Sequence, residues 1–209
     1  MHAPTFLPHD LLFLRVPDRF DAGGPWPAWL DAAWLMAAPL VVRRDCAPAG
    51  MVAVGARGLT RKQRSRALAP IAGITRVLAP EQLVAQASAL TLPCIEAFNT
   101  ARSQLAPLAL TWGPSGGVGF TLASGLPVLR PDSDLDLLVR APAPLDAATL
   151  ARLQELQALQ QRSACRIDIQ VDTGVGGFAL AEYTARRGRV LLKTARGPRL
   201  VADPWQQAA

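Results

Sequence analysis

Cysteines are few in this chain, and they lack the spacing of a metal site or a disulfide framework. Cys46, Cys94 and Cys165 are far apart and odd in number. No CxxC or Cys/His ligand spacing occurs, so neither a zinc site nor a set of disulfides is indicated. We expect reduced and mostly buried thiols, none of which is a catalytic nucleophile.

Long hydrophobic runs are also missing, although half of the 209 residues are hydrophobic. No apolar run approaches the roughly 20 residues that cross a bilayer. The amino terminus lacks the basic and then apolar order of a signal peptide. We therefore expect a cytoplasmic protein with a packed core, no membrane partner, and one large or two small domains.

Aromatic residues make up only 6% of the chain, and only two residues are lysine, so the net charge of +6 is carried by arginine. A basic surface favours an anionic partner, such as nucleic acid, a polyphosphate or an acidic protein. Proteins that bind single strands interleave aromatic and basic residues. The scarcity of aromatic residues argues against nucleic acid and favours a phosphate or protein partner.

The first 80 residues differ from the rest in their pattern of turns and strands. Turns rich in proline and tryptophan lead into two short strands, predicted at residues 39–44 and 51–55. Residues 81–100 have helical periodicity, with a break or kink expected at Pro93. We therefore predict a small α/β module over residues 1–80.

A second domain is predicted over residues 81–209. It contains a strand at 133–139, a helix from about Asp146, the expected N-cap, to about Arg162, and another strand at 166–172. The succession of strand, helix and strand predicts an α/β or α+β architecture.

Three aspartates are the candidate catalytic and metal-binding residues. Asp134 and Asp136 are two residues apart in one strand, so their side chains project from the same face, roughly 7 Å apart. Two carboxylates aimed at one place repel each other unless a cation lies between them, and Mg²⁺ prefers such ligands. If the strand of Asp168 is adjacent, three carboxylates converge, as two-metal phosphoryl transfer requires. A lone DxD is usually a solvated strand end, but the third aspartate favours the metal site.

Gly116 and Gly117 lie in a glycine-rich turn ahead of the DxD strand. Their backbone N–H groups could cradle phosphate oxygens, because small residues let a substrate approach closely. They could equally form a tight structural turn. Their position ahead of the carboxylates favours the phosphate role.

The glycine-rich turn, the DxD strand and the third aspartate together resemble the nucleotidyltransferase superfamily. Further segments narrow the resemblance to the malonate decarboxylase holo-acyl-carrier-protein synthase family, MdcG or phosphoribosyl-dephospho-CoA transferase. These segments are PHDLL at 8–12, VVRR at 41–44, VGARG at 54–58, WGP at 112–114, SDLDLL at 133–138, LLKT at 191–194 and DPW at 203–205. They cover nearly the whole chain in order, which makes them more specific than DxD alone.

The resemblance implies a nucleotidyltransferase-like mixed sheet and a specific reaction. The family transfers phosphoribosyl-dephospho-CoA from a triphosphoribosyl-dephospho-CoA precursor to a serine of the acyl-carrier subunit of malonate decarboxylase, and pyrophosphate leaves. By this resemblance Asp134 and Asp136 hold Mg²⁺, and Asp168 is a third ligand or a base. Gly117 departs from the family pattern, in which a serine is expected.

The basic residues have two interpretations each. Arg57, Arg61, Lys62, Arg64 and Arg66 could bind the triphosphate or the carrier, or form a solvated basic turn. Lys193 could hold the leaving pyrophosphate, or it could be a lysine at a strand edge whose ammonium reaches water. For His9, beside Asp10, a capping or core contact is favoured over acid–base chemistry.

Two rival functions stay open at this point. One is a nucleotidyltransferase with another hydroxyl acceptor, including the carrier of the parallel citrate lyase system. The other is a non-catalytic, arginine-rich protein that binds nucleic acid and keeps the fold. The three intact aspartates argue against the second rival, because a degenerate site has no reason to keep all of them.

Overall fold

The computed structural model describes residues 5–15, 20–185 and 188–206, which form two β-sheets and five α-helices. The strands are β1 (Leu11–Leu14), β2 (Leu40–Val42), β3 (Met51–Arg57), β4 (Arg64–Pro70), β5 (Ile74–Leu78), β6 (Thr111–Pro114), β7 (Leu135–Arg140), β8 (Ile167–Asp172), β9 (Gly177–Ala179), β10 (Val190–Thr194) and β11 (Gly197–Val201). The helices are α1 (Ala32–Ala37), α2 (Pro93–Leu105), α3 (Gly116–Ser124), α4 (Ala147–Ala158) and α5 (Leu180–Thr184). This mixed content confirms the predicted α+β class. No helix within these ranges is long and apolar enough to cross a membrane.

The amino-terminal sheet has five strands in the order β4-β3-β2-β1-β5, and all of its pairs are antiparallel. Successive residues of a strand point to opposite faces. On β3, Val52, Val54 and Ala56 therefore join an apolar core on one face. Gly55 and Arg57 lie on the other face, which borders a cleft.

The carboxy-terminal sheet has six strands in the order β11-β10-β9-β8-β7-β6. Strands β7 and β8 are parallel, and the other pairs are antiparallel. Parallel neighbours need a long crossover, and α4 provides it. Asp146 caps α4 as predicted, since its Oδ1 accepts a hydrogen bond from the Thr149 N–H at 2.7 Å.

The helix predicted over residues 81–100 is wrong in its bounds. Residues Pro80–Leu83 form a short 3₁₀ turn, residues 86–92 have neither helix nor strand, and α2 starts at Pro93. Proline is favoured in the first helical turn, where its missing N–H would have no partner in any case. Pro93 therefore begins a helix rather than kinking one.

The 3₁₀ turn of residues 80–83 packs against β6. A Cβ atom at Gly113 would collide with the carbonyl of Pro80, so this close backbone approach requires glycine. The amino-terminal sheet ends at Leu78, and the other sheet begins at Thr111. The sheets thus lie on either side of residue 80, and the domain boundary there stays a prediction.

The three cysteines are free thiols. Cys94 and Cys165 are buried in the carboxy-terminal core, and Cys46 is exposed. Burial raises the pKa of Cys165 to about 11 and also raises the pKa of Cys94. Because the thiolate is the reactive form, neither buried thiol is suited to nucleophilic chemistry.

Candidate active site

Three carboxylates meet where β7 and β8 begin. The strands run side by side in parallel, and Asp136 lies directly opposite Asp168 in their register. Asp134 stands two positions before Asp136, on the same side of the chain. On the opposite face, Leu135 and Ile167 are buried in the core. The structure therefore brings the three predicted aspartates together, and their roles stay predictions.

Arg166 bridges two of these carboxylates. Its Nη2 atom lies 2.9 Å from Asp134 Oδ2 and 2.6 Å from Asp168 Oδ2. The two carboxylate oxygens therefore lie close enough together to share one guanidinium nitrogen. The hydrogen bond to Asp134, and then the charge of Asp168, raise the pKa of Arg166. Arg166 was not among the predicted site residues, although its position two residues before Asp168 places it on the same face.

Asp136 carries an unfavourable negative charge. Burial raises its pKa, and repulsion from Asp168 and Asp134 raises the pKa further. A Cβ atom at Gly116 would collide with Asp136 Oδ2, and the backbone there has φ +55°, so glycine is required. A divalent cation would relieve the repulsion among the carboxylates. The aspartates therefore fit the metal that the sequence predicts.

Arginines, rather than further acids, complete the surroundings of the carboxylates. Arg61 Nη2 lies 3.1 Å from Asp134 Oδ1, on the side away from Arg166. Within the described ranges, no group of three or more His, Cys, Asp or Glu residues could hold a metal ion by itself. Mg²⁺ usually takes one or two carboxylates together with waters and substrate phosphates. The donor set therefore suits a metal that is shared with a phosphate substrate.

Helix α3 begins beside Asp136 with Gly116 and Gly117. The prediction of a glycine-rich turn is corrected here, because these glycines are the first two residues of the helix. The N–H of Ser115, the N-cap, donates to the Asp136 carbonyl at 2.8 Å, which ties the helix start to β7. N–H groups of a first turn lack partners within the helix and carry partial positive charge, so they bind phosphate readily.

Gly117 stands where the family resemblance expects serine. A Cβ atom here would lie 3.0 Å from Leu129 Cδ2 and 3.5 Å from both Nη atoms of Arg57. Leu129 and Arg57 therefore border the space that a serine side chain would fill.

Arg57 is a buried cation in the wall of the site. It is only 6% exposed, and its guanidinium carbon lies 5.5 Å from the centre of the Phe120 ring. Among the described residues its Nε atom has no hydrogen-bond partner. Burial, and then repulsion from Arg64, lower the pKa of Arg57 to about 10, so it stays charged at neutral pH. Because a buried unpaired N–H is costly, an anion bound here would be stabilised.

The β3–β4 hairpin points three arginines at the carboxylates. Arg57 ends β3, Arg64 begins β4, and the two are paired in register. A pocket of about 230 Å³ lies among these arginines and two of the carboxylates, and its lining consists of Arg57, Arg61, Arg64, Gly117, Ser133, Asp134 and Asp136. The alternative of a solvated basic turn does not hold for Arg57, Arg64 and Arg66. These residues are in strands because residues 58–63 close a hairpin, in which Gln63 accepts hydrogen bonds from Gly58 and Thr60.

A larger cleft of about 910 Å³ also reaches Asp136 and Asp168. Residues of both sheets line this cleft, including Gly55 and Arg66 on one side and Lys193 on the other. Lys193 is exposed on β10 and does not line the smaller pocket between the arginines and the carboxylates. Its role in phosphate binding stays a prediction.

Five charged residues, which we call the clamp, connect the two halves of the chain. Arg140 lies 2.9 Å from Asp10, 3.2 Å from Glu81 and 3.4 Å from Asp172. Arg44 Nη2 lies 3.0 Å from Asp172 as an ion pair, without the geometry of a hydrogen bond. The sequence analysis missed this cluster, whose signal is a charged residue at the ends of the apolar strands β7 and β8. The clamp ties residues beside β1 and β2 to the carboxyl ends of β7 and β8.

His9 lies beside the clamp and lines the larger cleft. Its backbone has φ +74°, an uncommon value for a residue other than glycine. Burial, and then the charge of Arg44, lower the pKa of His9 to about 4, so its imidazole is neutral at neutral pH. We favoured a capping or core contact for His9; its imidazole is largely buried, while its neighbour Asp10 accepts a hydrogen bond from the Leu7 N–H at 2.9 Å.

Two family models match nearly the whole chain. Residues 7–80 match the phosphoribosyl-dephospho-CoA transferase MdcG N-terminal domain, and residues 82–204 match the corresponding C-terminal domain. No solved structure gives a significant match.

Three similar proteins carry the name phosphoribosyl-dephospho-CoA transferase. The one from Pseudomonas aeruginosa is 46% identical over 203 residues, which cover 96% of this chain and 94% of the relative. The one from Pseudomonas putida is 44% identical over 98% of this chain and 97% of its own length. The one from Azotobacter vinelandii is 42% identical, with both chains covered completely. The chain therefore belongs to the MdcG family of transferase enzymes, as its sequence motifs predict.

Proposed function

We propose that this enzyme attaches phosphoribosyl-dephospho-CoA to a serine of the acyl-carrier subunit of malonate decarboxylase. The group would come from 2'-(5-triphosphoribosyl)-3'-dephospho-CoA, with pyrophosphate as the leaving group. One observation carries the proposal: Asp134 and Asp136 line a small pocket together with three arginines of the β3–β4 hairpin, and Asp168 lies opposite Asp136 in the strand register. Carboxylates with a metal, and arginines opposite them, are what a polyphosphate substrate requires.

In this proposal Asp134 and Asp136 hold Mg²⁺ together with the substrate phosphates, and Asp168 is either a third ligand or the base. When bound, the metal neutralises charge that develops on the phosphoryl oxygens and on the leaving pyrophosphate. The repulsion that raises the pKa of Asp136 supports this assignment. Arg61 and Arg166 supply the positive charge beside Asp134 in the free protein. Both arginines are more than half exposed, so they can move aside when substrate binds.

The triphosphate would lie against Arg57, Arg61, Arg64 and the start of α3. A guanidinium is planar and donates two parallel hydrogen bonds, which matches the oxygens of a phosphate. The buried and unpaired Nε of Arg57 supports its role in particular. Gly116 and Gly117 leave the backbone N–H groups of α3 open to a phosphate oxygen.

The transfer forms one bond and breaks one bond at the α-phosphorus. The serine Oγ of the carrier attacks this atom, and the bond to the oxygen that bridges toward the β-phosphate breaks. Pyrophosphate leaves with that oxygen, and the serine proton passes to a base. Asp168, 43% exposed beside Asp136, is the candidate base if it is not a third metal ligand. Positioning of the serine and electrostatic stabilisation supply most of the rate enhancement.

The carrier is expected to be acidic, by the family resemblance. Lys62 and Arg66 are exposed on the hairpin, and Arg66 also lines the larger cleft. Opposite potentials accelerate encounter in a way that depends on salt. These two cations are therefore proposed to meet the carrier, whereas the arginines of the small pocket meet the triphosphate.

The direct test is incubation of the enzyme with the precursor, Mg²⁺ and the apo carrier, followed by mass spectrometry of the carrier. We expect the carrier to gain the mass of one phosphoribosyl-dephospho-CoA group at serine, with release of one pyrophosphate. Asp136→Asn is the matched control and should give no mass gain. An unmodified malonate decarboxylase carrier beside a modified citrate lyase carrier would contradict the proposed acceptor. No modification of either carrier would contradict the reaction itself.

A further inference from the structure

We propose that the adenine ring of the dephospho-CoA group binds in a trough on the amino-terminal sheet, centred on Gly55. The inference rests on the proposed function, which supplies the dephospho-CoA group. The trough uses none of the residues assigned to the metal or the triphosphate.

Four residues at one level of the sheet form the row that contains the trough. Leu11 pairs with Val41, Val41 with Gly55, and Gly55 with Arg66, so the row crosses β1, β2, β3 and β4. All four residues line the larger cleft. Adjacent strands are about 4.8 Å apart, so the row is about 14 Å long, which is enough for a purine. Gly55 is the one member without a side chain, and it leaves a depression between Val41 and Arg66.

The fold does not require glycine at position 55. Its φ lies outside the left-handed region, and an added Cβ atom would meet Arg43 Cδ at 3.7 Å and the Val41 carbonyl at 3.9 Å, which are ordinary contacts. At Gly113 and Gly116, by contrast, a Cβ atom would collide with its neighbours. Glycine within a strand weakens it, and it often marks a place where a ligand approaches the backbone closely. A ligand above Gly55 would lie beside the Arg43 stem, and no contact within the protein is close enough to demand glycine here.

Neutral polar groups border the same cleft. His9 and Gln170 both line it, and their side chains are in contact. The imidazole of His9 is neutral, since burial and Arg44 lower its pKa, so it offers one hydrogen-bond donor and one acceptor. The edge of adenine also presents donors and acceptors without charge.

The shape of the trough favours adenine over the pantetheine arm. A flat ring gains most from an open sheet face with aliphatic neighbours, which Leu11 and Val41 provide. The stem of Arg43 lies beside Gly55 and adds methylene groups to this wall, while its guanidinium pairs with Asp45 at 3.1 Å. The pantetheine arm is narrow and flexible, and it does not require a missing side chain in the wall.

The test compares three probes on Gly55→Val by titration calorimetry with Mg²⁺ present. The probes are dephospho-CoA, 4'-phosphopantetheine and inorganic tripolyphosphate. A valine fills the trough, so we expect the Kd of dephospho-CoA to rise about tenfold or more, as for a crowded pocket. The Kd values of the other two probes should not change. Gly24→Val is the matched control, because Gly24 lies in an exposed bend where a Cβ atom meets nothing within 4 Å.

A second variant, His9→Asn, tests the polar border of the trough. Asparagine tolerates the left-handed backbone at this position, so the fold should be kept. We expect a several-fold weaker binding of dephospho-CoA and unchanged binding of tripolyphosphate.

The outcomes separate this inference from the proposed function. Unchanged binding of dephospho-CoA to Gly55→Val would overturn the adenine site while leaving the transferase proposal intact. Weaker binding of 4'-phosphopantetheine to Gly55→Val would assign the trough to the pantetheine arm and also overturn the inference. If the unsubstituted protein does not bind dephospho-CoA, the proposed function fails, and this site fails with it.

Discussion

The two walls of the candidate active site are built in different ways. The carboxylates stand on β7 and β8, two inner strands of the six-stranded sheet whose other face is buried in the core. The arginines stand on the β3–β4 hairpin, and β4 is an edge strand of the other sheet. Inner strands hold side chains more rigidly than edge hairpins do. We infer that the carboxylate wall is fixed before substrate binds, whereas the arginine wall adjusts to the triphosphate.

The arginines of this wall differ in how deeply they are buried. Arg57 is almost fully enclosed, whereas the side chain of Arg61 is 61% exposed. A desolvated charge interacts more strongly with a bound anion than an exposed one, which water and salt screen. Arg57 should therefore matter more than the exposed cations.

The largest expected effect is on the carboxylate wall. Asp136→Asn should lower the rate of transfer by a factor of about 100 or more, since it removes an anionic metal ligand. The same change removes a repelled charge, so thermal stability without Mg²⁺ should not fall. Carrier mass spectrometry gives the rate, and thermal unfolding gives the stability. Asp134→Asn should behave in the same way. Substantial turnover by either variant at saturating Mg²⁺ would contradict the assignment of these aspartates as metal ligands.

The second-largest effect is expected at the clamp that joins the two halves of the chain. Arg140→Met leaves Asp10 and Glu81 without their partner, so it should lower the free energy of unfolding by about 3 kcal/mol. Urea denaturation measures this loss. Arg152→Met is the control, because Arg152 pairs with Glu155 on the surface, and it should cost less than about 1 kcal/mol. Equal losses of stability in the two variants would mean that the ion pairs of the clamp contribute no more to stability than a surface ion pair.

The clamp also predicts a dependence on pH. Burial raises the pKa of Asp10. A raised pKa contributes stability that is present at low pH and is lost as the pH rises through that pKa. The penalty of Arg140→Met should therefore shrink as the pH falls from 7 toward the pKa of Asp10, because the unpaired carboxyl becomes neutral. A penalty that grows on acidification would contradict this reading of Asp10.

A smaller effect is expected from Arg57→Lys, which keeps the charge but loses the planar guanidinium. We expect kcat/KM for the precursor to fall about tenfold, since lysine cannot donate two parallel hydrogen bonds. Arg76→Lys is the matched control, because Arg76 also lies over an aromatic ring, that of Phe13, but outside the site. Steady-state kinetics with varied precursor measures both variants. Similar losses in both variants would show that Arg57 acts through packing alone.

The smallest effects are expected from the exposed part of the hairpin. Neutralising Arg61, Lys62 and Arg64 together should weaken apparent affinity several-fold and flatten its salt dependence, while the rate at saturating substrate survives. Lys62→Gln alone should change precursor binding by less than about twofold, because this side chain is exposed and lies outside the small pocket. Binding across a salt series measures both. A collapse of the maximal rate with unchanged affinity would place these residues in the chemical step instead.

The carboxylates could be predicted from the sequence because their positions depend on residues close to them in the chain. In a strand, a spacing of two fixes a common face, and this rule places Asp134 beside Asp136. Asp168 followed from the same alternation in the next apolar strand. The helix N-cap Asp146 and the α+β class were also readable from short-range patterns.

The arginine wall was less predictable because it depends on distant contacts. Arg61 meets Asp134, and Asp10 meets Arg140, across separations of 73 and 130 residues. Such contacts are set by the packing of one sheet against the other, which periodicity within a segment does not contain. The start of α2 was misplaced for a different reason, since Pro93 is compatible with both a kink and a first turn.

The central claim is that one phosphate site lies between the two walls. The most direct measurement is a crystal structure of the enzyme with the triphosphoribosyl precursor and Mn²⁺ in place of Mg²⁺, with the metal located by anomalous scattering. The account predicts a metal signal between Asp136 and Asp168, with the triphosphate in contact with Arg57 and Arg64. A triphosphate bound beside Lys193, with no metal at the aspartates, would contradict it.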